Sequence, residues 1–139
     1  MTPNRMAEIH AAAFKTQRPW SEAEFEELIK SDFVFQTAIN GSCFALGRVV
    51  ADEVELLTIA THPDQQSKGL ARECLTSFLT QAESLGAQQA FLEVDAENAP
   101  ALGLYTTQGF TETARRTDYY RYPDGSRHDA LILIKTLQK

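Results

Sequence analysis

Residues 54–95 read VELLTIATHPDQQSKGLARECLTSFLTQAESLGAQQAFLEVD, and the succession of patterns in this stretch decides the fold. Val54 to Thr61 is an apolar, β-branched run. His62-Pro63 ends it, because proline has no N–H for a ladder. From Gly69 to about Leu85 the residues Leu70, Cys74, Leu75, Phe78, Leu79, Ala82 and Leu85 recur at three- and four-residue spacing, and Gly86 lies just beyond as a C-cap glycine should. Gln88 to Asp95 returns to period two, with Ala90, Leu92 and Val94 on one face and Phe91, Glu93 and Asp95 on the other. Strand, long helix and strand in that order predict a right-handed crossover and a parallel pair.

Upstream, residues 4–15 carry Met6, Ile9, Ala13 and Phe14 at helical spacing behind Thr2-Pro3. A second helix opens near Ser21. Ser21 and Glu24 have capping-box spacing, and Trp20 with Phe25 forms a hydrophobic staple. Strands from Phe33 to Ile39 and from Ser42 to Val50 flank Asn40-Gly41, a pair suited to a tight hairpin turn. Downstream, a short helix over about Ala99 to Gln108 stops at Gly109. Strands from Phe110 to Tyr119 and from His128 to Leu137 enclose the turn residues Pro123-Asp124-Gly125. Hairpins at both ends and a crossover between them predict an α/β fold: a mixed sheet, parallel only in the middle, with helices on both faces.

The chain of 139 residues, 43% hydrophobic, suits one domain over 1–139. Its net charge of −6 argues against direct nucleic-acid or anionic-membrane partners. No run approaches the roughly 20 apolar residues of a membrane span, and no secretory segment opens the chain, so a cytoplasmic protein is expected. Cys43 and Cys74 offer neither a disulfide framework nor metal-ligand spacing, and buried thiols with no metal are expected. No segment reads as a dimerisation element.

Three segments could carry chemistry. Gln65 to Arg72 joins a strand to the start of a long helix, where unpaired amides and the helix dipole favour an anion. Gly69 and Ala71 would let a diphosphate approach, with Lys68 and Arg72 adding charge. A plain surface loop is the alternative. Glu93 is an acid inside an apolar strand. It either faces a cleft, where partial burial would suit a general base, or is simply solvated. Tyr105 is either a proton donor pointing inward or an ordinary packed tyrosine.

Four stretches together resemble the GCN5-related N-acetyltransferase (GNAT) superfamily, and within it the bacterial RimI-type N-alpha-acetyltransferases, which acetylate the N-terminal alanine of ribosomal protein S18. They are Pro19-Trp20-Ser21, Leu57 to Pro63, Gln66-Ser67-Lys68-Gly69-Leu70-Ala71, and the set Asn98, Ala101, Leu104-Tyr105 and Gly109-Phe110. The resemblance implies the acyl-CoA N-acyltransferase fold, with the cosubstrate acetyl-CoA wedged between splayed parallel strands. It implies pantetheine on the backbone of Ile59, Ala60 and Thr61, and the pyrophosphate on Ser67, Lys68, Gly69, Leu70, Ala71 and Arg72. Asn98 would lie near the reactive end, with Glu93 as general base and Tyr105 as general acid. It assigns Trp20, Tyr119 and Tyr120 to the acceptor, a protein N-terminus; the alternatives are a lysine side chain, a polyamine or another small amine as acceptor, a catalytically silent acetyl-CoA-binding protein, and tyrosines that simply pack in the core.

The chain departs from the family at several points: Ala71 stands where the pyrophosphate signature usually ends in glycine, and Arg121 and Tyr122 intervene before Pro123 in the segment that resembles the family's Tyr-Tyr-Pro. The family's first strand is shortened or absent here, since only Thr2-Pro3 precedes the first helix. Ser67 stands where a basic residue is usual. The acids Asp52, Glu53, Glu55, Asp95, Glu97 and Glu112 either favour a basic acceptor or are solvated turn and strand-edge groups.

Overall fold

The computed structural model describes residues 1–14 and 18–137. The elements run α1 (Pro3–Ala13), α2 (Glu22–Ile29), β1 (Val34–Ile39), β2 (Cys43–Val50), β3 (Glu53–Thr61), α3 (Leu70–Ser84), β4 (Gln89–Asp95), α4 (Ala99–Thr107), β5 (Thr111–Arg121) and β6 (Arg127–Thr136). Lys15, the last residue expected in the first helix, lies outside the described residues.

Local chemistry accounts for the helix starts. Thr2 caps α1 by accepting from the Arg5 amide at 3.2 Å, with Pro3 in the first turn, where a missing N–H does no harm. At α2 both halves of the capping box form: Glu24 N–H donates to Ser21 Oγ at 3.2 Å and Ser21 N–H to Glu24 Oε1 at 2.8 Å. The Trp20 and Phe25 rings close the staple at 5.5 Å. Asn98 caps α4 through Ala101 N–H at 3.2 Å. The first hairpin turns on Asn40 (φ 53°) and Gly41 (φ 66°), the double left-handed geometry expected of that pair.

The six strands form one sheet in the order β1-β2-β3-β4-β6-β5, and every pairing is antiparallel except β3 with β4. This is the expected mixed sheet. Met1 and Thr2 form no strand ahead of α1. Instead the Met1 ammonium and carbonyl bond the Gln36 side chain on the edge strand β1, at 2.8 and 3.1 Å.

The parallel pair is short. It runs through Glu53↔Gln89, Val54↔Ala90 and Glu55↔Phe91 and then stops, although β3 continues to Thr61 and β4 to Asp95. The β2–β3 register explains the parting. Gly47 pairs with Leu56 and Leu46 with Thr58, leaving Leu57 as an extra residue. Such a bulge bends and twists its strand, and here it carries β3 away from β4.

Two apolar clusters lie on opposite faces of the sheet. Leu75, Phe78 and Leu79 of α3 and Tyr105 of α4 pack with Ala45, Leu56, Leu92 and Val94. Met6 and Ile9 of α1 and Phe25 of α2 pack with Phe44, Leu46 and Ala60. Leu92 and Val94 therefore face α3 and α4, and strand alternation turns Glu93 toward the α1 and α2 face. Both cysteines are free and buried.

Candidate active site

Where β3 and β4 part, a cleft of about 1140 Å³ opens. It is lined by β3 from Glu55 to Thr61, β4 from Leu92 to Asp95, the start of α3, and α4. Both Glu93 and Tyr105 line it.

The β3–α3 connection leaves backbone amides open at the start of α3. Proline opens a 3-10 turn over Pro63–Gln65. Ser67 (φ 65°) and Gly69 (φ 80°) are both left-handed, a geometry that glycine adopts freely and serine at some strain. Gly69 is the N-cap of α3 and supplies no side-chain acceptor, so the first-turn amides stay open. Gln66 Nε2 donates to the Thr61 carbonyl at 3.2 Å and ties the loop back to β3.

Ser67, Gly69, Leu70, Ala71 and Arg72 line the cleft, as do Ile59, Ala60, Thr61 and Asn98. Lys68 is not among the lining residues; its ammonium turns to Gln65 Oε1 at 3.4 Å. Among the described residues, no group of three or more His, Cys, Asp or Glu side chains is arranged to hold a metal ion.

Glu93 is half-buried, with Arg116 Nε 3.7 Å from its Oε2. That separation is too long for a hydrogen bond, and the arginine is largely exposed, so the pair is a loose one. Tyr105 is 7% exposed, and burial pushes its phenol up to about 12. It stays protonated at neutral pH. Its ring meets Phe110 edge to face at 5.9 Å, and its hydroxyl has no hydrogen-bond partner among the described residues.

Tyr120 lines the cleft, and burial, then the charge of Glu93, raise its pKa. Trp20 also lines it. Tyr119 does not: it is 47% exposed, with the Arg116 guanidinium 5.2 Å from its ring centre. The two rings meet edge to face at 5.3 Å, beyond a register shift between Arg116 and Tyr120, and of the pair only Tyr120 lines the cleft.

Two groups escape the sequence analysis. One is Asp95, a candidate solvated acid that is 8% exposed. It accepts from Tyr122 Oη, from Glu97 N–H at 2.8 Å and from His128 Nδ1 at 2.7 Å. Burial works against its charge, but these bonds outweigh burial and hold its carboxyl below the usual range. Together they fasten the β5–β6 hairpin to the end of β4. They also border a second cavity of about 790 Å³, which adjoins the cleft at Ala13, Phe14 and Asn98. The other is His10, 3% exposed and lining the cleft from α1. An imidazole within the stripe Met6, Ile9, Ala13 was the available signal.

Residues 4–110 match the model of the acetyltransferase (GNAT) family. The chain belongs to that family and is an acetyl-CoA-dependent N-acetyltransferase. Over 118 residues it is 41% identical to the [ribosomal protein bS18]-alanine N-acetyltransferase of Escherichia coli K12, covering 83% of this chain and 79% of that one. The N-alpha-acetyltransferase RimI of Mycobacterium tuberculosis is 33% identical over 125 residues, covering 84% and 77%. The crystal structure of the Escherichia coli ribosomal-protein-S18-alanine N-acetyltransferase superposes with a TM-score of 0.88 at 34% identity, covering 99% of this chain and 88% of that one.

Proposed function

We propose that the chain, as a single domain over 1–139, acetylates the N-terminal alanine of ribosomal protein bS18 in the cytoplasm. The similarity to the Escherichia coli enzyme that bears this name carries the assignment. Among the described residues no helix is long and apolar enough to cross a membrane, which is compatible with that location.

In the proposed mechanism Glu93 takes a proton from the acceptor ammonium, and the free amine attacks the thioester carbonyl of acetyl-CoA. An α-amine, with a pKa of about 8, gives up that proton more readily than a lysine amine near 10.4. Backbone amides of β3 beyond the bulge polarise the carbonyl oxygen. Tyr105, protonated at working pH, donates to the departing thiolate as the C–S bond breaks, and the second proton of the amine, lost from the new amide nitrogen, restores the phenol. The open amides from Gly69 to Arg72 hold the pyrophosphate, Ile59 to Thr61 hold the pantetheine, and Asn98 sits toward the reactive end. Lys68 contributes its backbone rather than its ammonium. Trp20 and Tyr120 flank the acceptor, with Tyr119 outside the cleft.

The test is acetyl transfer to short peptides with alanine, serine and glycine N-termini, beside an N-terminally blocked lysine peptide and a polyamine. The alanine peptide should be turned over best. Turnover confined to the blocked lysine peptide or the polyamine overturns the assignment.

A further inference from the structure

His10 sits on α1 with its side chain almost wholly buried, yet it lines the cleft. The backbone N–H of Trp20 donates to its Nδ1 at 3.0 Å. A nitrogen that accepts a hydrogen bond carries no proton, so in the neutral ring the proton sits on Nε2. The imidazole is held in this form on all sides. Trp20 stacks on it at 5.1 Å, Phe14 lies at 4.4 Å, and Phe25 meets it edge-on at 5.5 Å. Burial lowers its pKa to about 4, while the nearby Glu24 and Arg18 act in opposite directions and are paired with each other. The ring is therefore neutral at working pH.

Nε2–H has no partner among the described residues. No side-chain nitrogen or oxygen among them is both sealed from solvent and unpaired, and the imidazole lines the cleft. A donor fixed in tautomer and orientation by a backbone amide, and left open toward a cleft, suits a hydrogen-bond acceptor on a ligand.

The side of the cleft identifies that ligand. α1 packs on the sheet face toward which Glu93 points, and α3, with the proposed pyrophosphate loop, packs on the opposite face. His10 thus stands with the proposed general base on the acceptor side. A peptide N-terminus carries a carbonyl one carbon away from its amine, whereas a lysine side chain or a polyamine carries none at that distance. We propose that His10 Nε2–H donates to the first carbonyl oxygen of the acceptor peptide, so that His10 selects an α-amine followed by an amide. This inference rests on the α-amine assignment above and deepens it.

The experiment compares an alanine-initiated peptide with the same peptide whose first amide is replaced by an E-alkene isostere, which keeps the shape but has no carbonyl, with kcat/KM expressed per free amine because the isostere's amine is the more basic. His10→Asn retains an acceptor for the Trp20 amide but is too short to reach the cleft, and His10→Gln retains a donor at about the Nε2 position. A neutral hydrogen bond predicts that the isostere loses about 3- to 10-fold in kcat/KM with the wild type. His10→Asn should lose a similar factor on the natural peptide and nothing further on the isostere. His10→Gln should recover part of the loss.

Unchanged KM for acetyl-CoA and an unchanged circular dichroism spectrum guard against a folding effect. Equal losses on peptide and isostere, or no loss on the peptide, overturn the role of His10 and leave the α-amine assignment standing. Wild-type protein that turns over a polyamine or blocked lysine peptide but not the alanine peptide overturns both.

Discussion

Adding a single methyl group at Gly47 tests the packing that sets the cleft. Gly47 lies on β2 opposite Leu56, where the bulge begins. A Cβ built there falls 2.4 Å from Phe78 Cε1, 2.5 Å from its Cζ and 3.0 Å from Phe35 Cε1. Ordinary contacts between carbons are about 3.5–4.0 Å, so the Phe78 ring would have to retreat by about 1 Å. It has nowhere simple to go: Phe78 is fully buried on α3 and stacked on Phe35 at 4.9 Å. Overpacking of this kind costs about 1–3 kcal/mol. At about 2.1 cal/mol/K per residue, unfolding a chain of 139 residues carries an entropy near 0.3 kcal/mol/K. Gly47→Ala should therefore lower Tm by about 3–10 °C, read by circular dichroism. Phe78→Leu in the same background makes room for the methyl. The double variant should then be more stable than the two single losses added together, by about 1 kcal/mol. A Tm within about 2 °C of wild type, or strict additivity in the cycle, refutes the account.

Glu93→Gln and Tyr105→Phe should each lower kcat by about 10²- to 10⁴-fold, with KM for acetyl-CoA near wild type; wild-type turnover at saturating substrates removes that residue from the mechanism. His128 has its pKa raised above 6.5 by its hydrogen bond to Asp95, against burial and aided by the charges of Asp95, Glu97 and Asp124. Its protonated form stabilises the fold fully below about pH 6.5 and loses this contribution as pH rises through the raised folded value. The Tm gap between wild type and His128→Gln should therefore be larger near pH 6 than near pH 9, and a gap that does not shrink with pH contradicts the pairing. The Asp95 carboxyl, held low, acts in the other direction: its contribution is present above about 3.8 and is lost as pH falls through its lowered value. Ser21→Ala removes one half of a formed capping box and should cost about 0.5–2 kcal/mol in thermal unfolding, with Ser21→Gly costing only a few tenths.

The elements were legible because each announces itself locally. The α3 stripe, the Ser21–Glu24 box and the Asn40-Gly41 turn are short-range patterns, and all three form as the sequence implies. The cleft was legible only in part. Its strands could be named, but their parting depends on the register of β2 against β3, and a one-residue bulge leaves no mark in a stretch of apolar residues. The misreading of Asp95 has the same origin. Its partners Tyr122 and His128 lie 27 and 33 residues away, and only the β4–β6 pairing brings them together. Tyr119 and Tyr120 are adjacent and chemically alike, so composition could not say which enters the cleft. Their placement follows from an irregular stretch of β5, with a register shift after Arg116 and a left-handed Asp118, which nothing in the sequence marks.

The division of the sheet into two faces also gives the proposed proton transfers a direction. Tyr105 belongs to the α3 and α4 cluster, and Glu93 points to the α1 and α2 face. On the proposed mechanism Glu93 meets the entering amine from one face and Tyr105 meets the leaving sulfur from the other, both lining one cleft. The opening between β3 and β4 joins the two faces, and on this mechanism the substrate spans the splay for both to act. On this geometry, a substitution that restored β3–β4 pairing beyond Glu55 and Phe91 would abolish turnover with Glu93 and Tyr105 both intact. The bulge at Leu57 is thus as much a part of the proposed catalytic apparatus as either side chain.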